Sequence, residues 1–223
     1  NVGSEGTVAG LGWGAGAWGE GTWSTPRTEG ITLELRSWAL AEYGNDLLAN
    51  YLDGSLYFWE EATDERAEIV VNAPETIRSM FVTGERYIFL LGTTTPMTVQ
   101  WPDQDDMTDF VPTASNTANI RQLQVGSKLM CGCAIGDGVS VVWTDAALYV
   151  FQYTGSDFVY DSRVAARNCG PISQKAFEVS NATAFWMSGS DFWMFSGSAQ
   201  LVPNQDDVKD YVFKRIDPNN AGK

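Results

Sequence analysis

Apolar residues recur at every second position along most of this chain, the spacing of strands with one face turned inward. Tyr87–Leu91, Val139–Trp143 and Ala184–Met187 are short, rich in β-branched and aromatic residues, and bounded by Gly, Asp, Ser or Thr. The one helix-like window, Trp38–Glu42, soon meets Gly44, Asn45 and Asp46. The pattern predicts an all-β protein.

A repeat narrows the architecture. Leu52–Trp59, Thr144–Phe151 and Ser188–Phe195 each carry a turn of small residues, a bulky apolar residue, an aromatic, an apolar residue and a closing aromatic. Thr94–Trp101 is a weaker fourth member, and the closing aromatics are spaced by 42, 50 and 44 residues. Pro102–Val111 also echoes Pro203–Val212 at an offset of 101 residues, close to two units. A unit of about 40–50 residues holding several short strands is the size of one propeller blade. A lone blade cannot bury both faces, whereas stacked blades cover one another. The expectation is a β-propeller-like array of four-stranded blades, which need not be complete within this chain. The rival, a β-sandwich, has short alternating strands but no reason for a recurrent turn-plus-aromatic signature.

This reading divides the chain into a Gly/Trp-rich extended loop at 1–30, blades at 31–216 and a tail at 217–223. In the loop, Trp13, Trp18 and Trp23 stand five apart among glycines, which disfavour both helix and strand. Those indoles either plug gaps in their own domain or anchor a neighbouring subunit, since Trp is favoured at interface hot spots. They are candidate subunit-interface residues.

Length permits one large domain or two small ones, and burial of roughly 70% of the unfolded surface. With 44% hydrophobic and 19% charged residues among 223, the composition is that of a folded protein. The chain contains no histidine, which excludes Ser-His-Asp and Cys-His catalysis and His-liganded zinc built from this chain alone. No phosphate-loop or nucleophile-elbow motif is present. No apolar run approaches the ~18 residues of a membrane span. The chain opens on Asn1 without a signal peptide, as a piece of something longer would. Cys131, Cys133 and Cys169 are too few for a four-cysteine zinc site and read as small buried side chains rather than redox groups.

The net charge of −14 argues against gripping DNA phosphates. Glu42–Glu68 and Asp103–Asp109 together contribute −11 of it. Glu60, Glu61, Asp64, Asp103, Asp105, Asp106 and Asp109 are candidate acidic-loop residues. Paired carboxylates could serve glycoside hydrolysis, but no apolar pocket is legible beside them. The Asp103–Asp109 spacing lacks the glycine turn and bidentate glutamate of a calcium hand. The plain reading is a solvated surface; lining a conduit, it would repel DNA and keep it mobile. Gly155–Phe158 and Gly189–Phe192 look superficially like sialidase boxes, but a Ser-Asp turn between strands explains both. Asn181-Ala-Thr183 is a glycosylation sequon, a match that chance readily supplies. These residues assign no catalytic centre, cofactor or metal.

Trp38–Asn50 followed by Asp53–Trp59 resembles the tail nozzle or hub proteins of short-tailed bacteriophages, of the packaged-DNA stabilisation type. The same likeness extends to the Gly12–Trp23 loop, Trp143–Tyr149 with Tyr153–Gly155, Asn168–Gly170, Trp186-Met187 and Val208–Phe213, covering about residues 10–215. Where that family commonly has an Arg-Gly-Gly-like turn, this chain has Tyr51–Gly54, without the basic residue. The resemblance implies a non-enzymatic virion protein, six copies of which form the distal tail tube. Its partners would be tail adaptor or portal proteins and tail fibres or spikes, with genomic DNA passing through without sequence-specific binding. The alternatives are a carbohydrate-binding propeller lectin or receptor-binding module and, last, a carboxylate-dependent glycosidase.

Overall fold

The computed structural model describes residues 37–63, 65–156 and 158–216. Four antiparallel sheets of four strands follow one another, each a meander in chain order. The first comprises β1 (Trp38–Tyr43), β2 (Asp46–Tyr51), β3 (Leu56–Trp59) and β4 (Glu68–Ile69), and the second β5 (Ser79–Val82), β6 (Ile88–Leu91), β7 (Thr98–Trp101) and β8 (Asn119–Gln122). The third holds β9 (Leu129–Gly136), β10 (Val139–Thr144), β11 (Ala147–Tyr153) and β12 (Tyr160–Arg167). The fourth holds β13 (Phe177–Ser180), β14 (Thr183–Met187), β15 (Phe192–Phe195) and β16 (Ala199–Leu201), and helix α1 (Asp206–Phe213) follows it. Because β1 packs on β5 and β5 on β9, the first strands of the first three sheets lie innermost. The protein is all-β, a propeller-like array of four-stranded blades. Among the described residues no helix is long and apolar enough to cross a membrane.

The repeated aromatic signature falls on β3, β7, β11 and β15, the third strand of every blade. The second echo is not structural: Pro102–Val111 lies in the β7–β8 loop, whereas Pro203–Val212 follows a fourth strand and builds α1. Side chains decide the difference. Asp106 accepts the Thr108 amide at 2.9 Å and holds an open turn, while Lys209, which stands in the place of Thr108, reaches out of the helix to Asp191 at 2.5 Å. Trp38–Glu42, helix-like by composition, is strand β1. Its alternation sends Ala39, Ala41 and Tyr43 inward, and it pairs in register with β2.

The blades are glued face to face by three apolar clusters. Leu48, Leu56 and Tyr43 of blade 1 meet Met80, Ile88 and Leu90 of blade 2. The opposite face of blade 2, with Phe81, Phe89, Leu91 and Trp101, meets Val142, Tyr149, Phe151 and Tyr160 of blade 3. Val141, Trp143, Leu148 and Val150, on the other side of blade 3, meet Ala184, Trp186 and Phe195 of blade 4. Burial on both faces explains why β6 and β7 are buried throughout although alternate residues belong to different interfaces. At Gly132 the second interface is so close that a Cβ would stand 2.5 Å from the Phe81 ring.

Polar side chains fix the turns. Asn50, fully buried, spreads its amide hydrogens over the carbonyls of Tyr51 and Gly54 at 3.0 Å and Ile77 at 3.1 Å, tying the β2–β3 turn to the strand entering blade 2. The Ser188 hydroxyl accepts the Asp191 amide at 3.0 Å, the turn expected at Gly189–Phe192. Asn181 and Ala182 of the sequon both take positive φ (48° and 57°) in the two-residue β13–β14 hairpin turn. Between blades 1 and 4, the Ser37 hydroxyl donates to Gln174 Oε1 at 3.0 Å and Lys175 Nζ to the Trp38 carbonyl at 2.7 Å.

Candidate functional site

In a four-strand meander, the connections after the first and third strands lie at one end of the blade and those after the second and fourth at the other. This parity sorts the charges. Asp46 follows β1, Glu60 and Glu61 follow β3, Glu85 follows β5, Asp103, Asp105, Asp106 and Asp109 follow β7, and Asp137 follows β9. All of them therefore belong to one end of blades 1–3. Contacts knit that end together: the Glu61 amide donates to Asp46 Oδ1 at 3.1 Å and Gln104 Nε2 to the Glu85 carbonyl at 3.0 Å. Arg86 pairs with Asp105 and lies 4.7 Å from the Tyr43 ring centre, at the junction of blades 1 and 2. The opposite end mixes Arg78, Lys128, Arg167 and Lys175 with Asp53, Glu75, Asp145 and Asp191.

The structure thus brings Glu60, Glu61, Asp103, Asp105, Asp106 and Asp109 to one acidic end. They sit on connections to the fourth, outermost strands rather than beside the inner strands. Trp13, Trp18, Trp23 and Asp64 lie outside the described residues, as do the boundary at residue 30 and the tail at 217–223. Glu85 and Asp137 complete the acidic end without having been legible as members. Their signal is positional: each stands in the turn after a first strand, which can be read only once strands are numbered within blades.

Several acidic groups at this end are structural caps. Asp103 takes the Thr117 amide at 2.7 Å and also its hydroxyl; Asp109 accepts Asn116 Nδ2 at 2.8 Å. Partial burial pushes the Asp103 carboxyl up, but the Thr117 bonds outweigh it and leave it below the ordinary range. The Thr108 hydroxyl and amide lower Asp106 directly. At the opposite end burial opposes, but bonds from Ser127 and Lys128 lower, Asp145, while Lys209 lowers Asp191. Depressed folded-state values stabilise the fold above the unfolded carboxylate pKa near 3.9, and that contribution is lost as pH falls through the folded values. With no histidine to titrate, Tm is expected not to fall between about pH 8 and 5, and to drop below about pH 4. Circular-dichroism melts across that range check it; loss of stability between pH 7 and 5.5 contradicts it.

Elsewhere the chemistry is quiet. Among the described residues no group of three or more His, Cys, Asp or Glu is placed to hold a metal ion. Burial raises all three thiols, Cys133 to about 12 and Cys169 to about 11, away from the range of reactive cysteines. Burial likewise keeps the Tyr160 phenol protonated; it donates to the Glu85 carboxylate at 3.1 Å and lies within hydrogen-bond distance, 3.0 Å, of the Thr83 hydroxyl. A cleft of about 470 Å³ lies between blade 4 and α1, lined by Phe177, Phe185, Trp186, Met187, Phe192 and Val208 among others. Glu178 is the one acidic side chain on its wall, so it holds no carboxylate pair.

No protein family matches the chain, and no curated protein matches it. Among solved structures it is similar to the extracellular domain of a protein described as a hybrid two component system of B. thetaiotaomicron, with 15% identity and a TM-score of 0.49. That match covers 74% of this chain and 21% of the other. The chain is also similar to the computationally designed Ika4 protein at 12% identity and a TM-score of 0.41, over 74% of this chain and 88% of that one.

Proposed function

We propose that this chain is a structural virion protein of the tail nozzle or hub of a short-tailed phage, an oligomeric conduit that retains and then releases packaged DNA. The observation that carries the reading is the collection of acidic side chains at one end of a propeller-like array of blades. A protein that grips DNA presents the reverse charge. A wall past which DNA must slide does best with weak, repulsive contact.

The motifs that resemble nozzle proteins are also those that frame the blades. Asn50 clamps the first blade to the second, Trp143 and Trp186 sit 5.4 Å apart between the third and fourth, and Cys169-Gly170 underlies them. Glu60, Glu61, Asp103, Asp105, Asp106 and Asp109 stand on connections to outermost strands, so they can line a lumen only where several copies surround it. The conduit would therefore run between subunits, with acidic blade ends turned toward the passing duplex and rigid blades holding the diameter.

The purified chain is expected to show no measurable binding to duplex DNA at about 150 mM salt, and none gained on lowering salt to about 50 mM. Filter binding with a labelled duplex measures this. Tight binding with a steep salt dependence would falsify the conduit reading. Electron microscopy of the assembled particle, as a ring with an axial hole stacked on other rings, is the direct support expected.

A further inference from the structure

Within the chain one packing rule repeats three times: the face of a blade that looks down the sequence lies against the face of the next blade that looks up it. Among the described residues the rule leaves two faces over. On blade 1, in-register pairing puts Trp38, Leu40, Ala49, Tyr57 and Ile69 on the upstream-looking face. Trp38 is 50% exposed, Leu40 63% and Ile69 58%. Trp38, Tyr51 and Tyr57 form an aromatic patch there, with ring centres 5.5–6.2 Å apart. On blade 4, the downstream-looking face carries Phe185, Met187, Phe192 and Met194. Phe185 is 38% exposed, and α1 reaches the face at Phe192, where Phe213 stands 5.5 Å away.

We propose that these two faces bind each other across a pair of chains, blade 1 of one copy against blade 4 of a second copy and the reverse, so that two four-bladed arrays share one ring. The proposal stands apart from the nozzle reading and adds the surfaces by which copies associate. The occupant follows from continuity with the internal interfaces: one leftover face looks up the sequence and the other down it, the two kinds that pack together inside the chain, and each adds one carboxylate, Glu42 and Glu178, to its apolar residues. Eight blades lie within the range that closed propellers adopt. Two identical junctions related by a two-fold axis close the assembly and leave no terminal face uncapped.

Pairing requires the contacts between blades 1 and 4 of the same chain to part. Those are the Ser37–Gln174 and Lys175–Trp38 bonds. They form a weak clasp: Lys175 is exposed, water competes for its bond, and Gln174 Nε2 is left buried without a partner.

Light scattering coupled to size exclusion tests the pairing. The wild-type chain is expected at twice the mass of one chain at about 10 μM. Leu40→Asp and Phe185→Asp each place a charge in both junctions and are expected to weaken association on the order of 100-fold. Both positions are exposed in the single chain, so melting curves should show an intact fold. Mixing the two variants is the discriminating step: a mixed pair has one doubly spoiled junction and one intact junction, so dimers return. Lys175→Ala, which loosens the clasp, leaves pairing as strong or stronger.

A monomeric wild type, a mixture that stays monomeric, or sensitivity to Leu40→Asp with indifference to Phe185→Asp overturns the proposal. So does a larger oligomer that neither charge disturbs, an outcome that leaves the nozzle reading standing. Salt-sensitive DNA binding by an intact dimer does the opposite.

Discussion

Trp101→Ala is expected to destabilise the protein by about 3–5 kcal/mol, the range for deleting a large aromatic from a packed core. For a chain of this length that lowers Tm by on the order of 10 °C. Trp101 is 1% exposed and closes the third strand of blade 2. Its ring stacks on Phe89 with centres 5.1 Å apart and meets Tyr160 edge-on at 5.6 Å. Truncation therefore removes both transfer free energy and the contacts that join blade 2 to blade 3. Its Nε1 also donates to the Thr117 carbonyl at 3.1 Å, so the long β7–β8 loop loses an anchor. Phe158→Ala is the internal comparison: the side chain is 76% exposed, and the change should stay within about 0.5 kcal/mol. Urea denaturation of both variants measures the pair. Equal midpoints would mean that the interface between blades 2 and 3 does not carry the fold.

Gly170→Ala is expected to be as damaging through the opposite fault, too much volume. A Cβ on Gly170 would stand 2.1 Å from the Asp145 carbonyl oxygen and 2.3 Å from its carbon. The obstruction is backbone, so no rotamer relieves it. One of two turns has to move. Asp145 is held by the Ser127 amide at 2.7 Å and by its own amide bond to the Lys128 carbonyl at 3.0 Å. The Cys169 carbonyl beside Gly170 accepts the buried Trp186 indole at 2.6 Å. Displacing either side opens the joint between blades 3 and 4, at or above the upper end of the ~1–3 kcal/mol usual for overpacking. Gly189→Ala, with open space around the added carbon, should leave the melting temperature nearly unchanged. A Gly170→Ala variant as stable as Gly189→Ala would show that the turn gives way freely.

The blades were legible because the third strand of each carries aromatics that show in composition. Leu56–Trp59, Leu148–Phe151 and Phe192–Phe195 announce themselves by their aromatics, and the weaker Thr98–Trp101 fits once the spacing is known. The edges were harder. Trp38–Glu42 is made of good helix formers, yet its pairing with β2 and its two-residue period outweigh a local preference worth a few tenths of a kcal/mol per residue. The Pro102 and Pro203 segments share most of their letters and fold differently, because Asp106 has Thr108 to cap it where the later segment has Lys209. Of the candidate site, the acidic residues could be read but not their gathering at one end, which depends on counting turns within blades. The unpaired faces of blades 1 and 4 were hidden for a similar reason. Leu40 and Phe185 look like any other alternating apolar residue until it is seen that no blade among the described residues covers them.

The segregation of carboxylates has a consequence for how the molecule meets anything charged. Among the described residues one end of blades 1–3 is strongly negative and the other nearly balanced, so these blades carry an electric dipole directed from one end to the other. In the field of a polyanion such a body turns before it touches, balanced pole leading and negative pole averted. Copies that turned this pole toward a shared lumen would repel one another across it, which would hold the opening wide. Added salt would relax it, since the repulsion fades beyond about 10 Å at 0.1 M ionic strength.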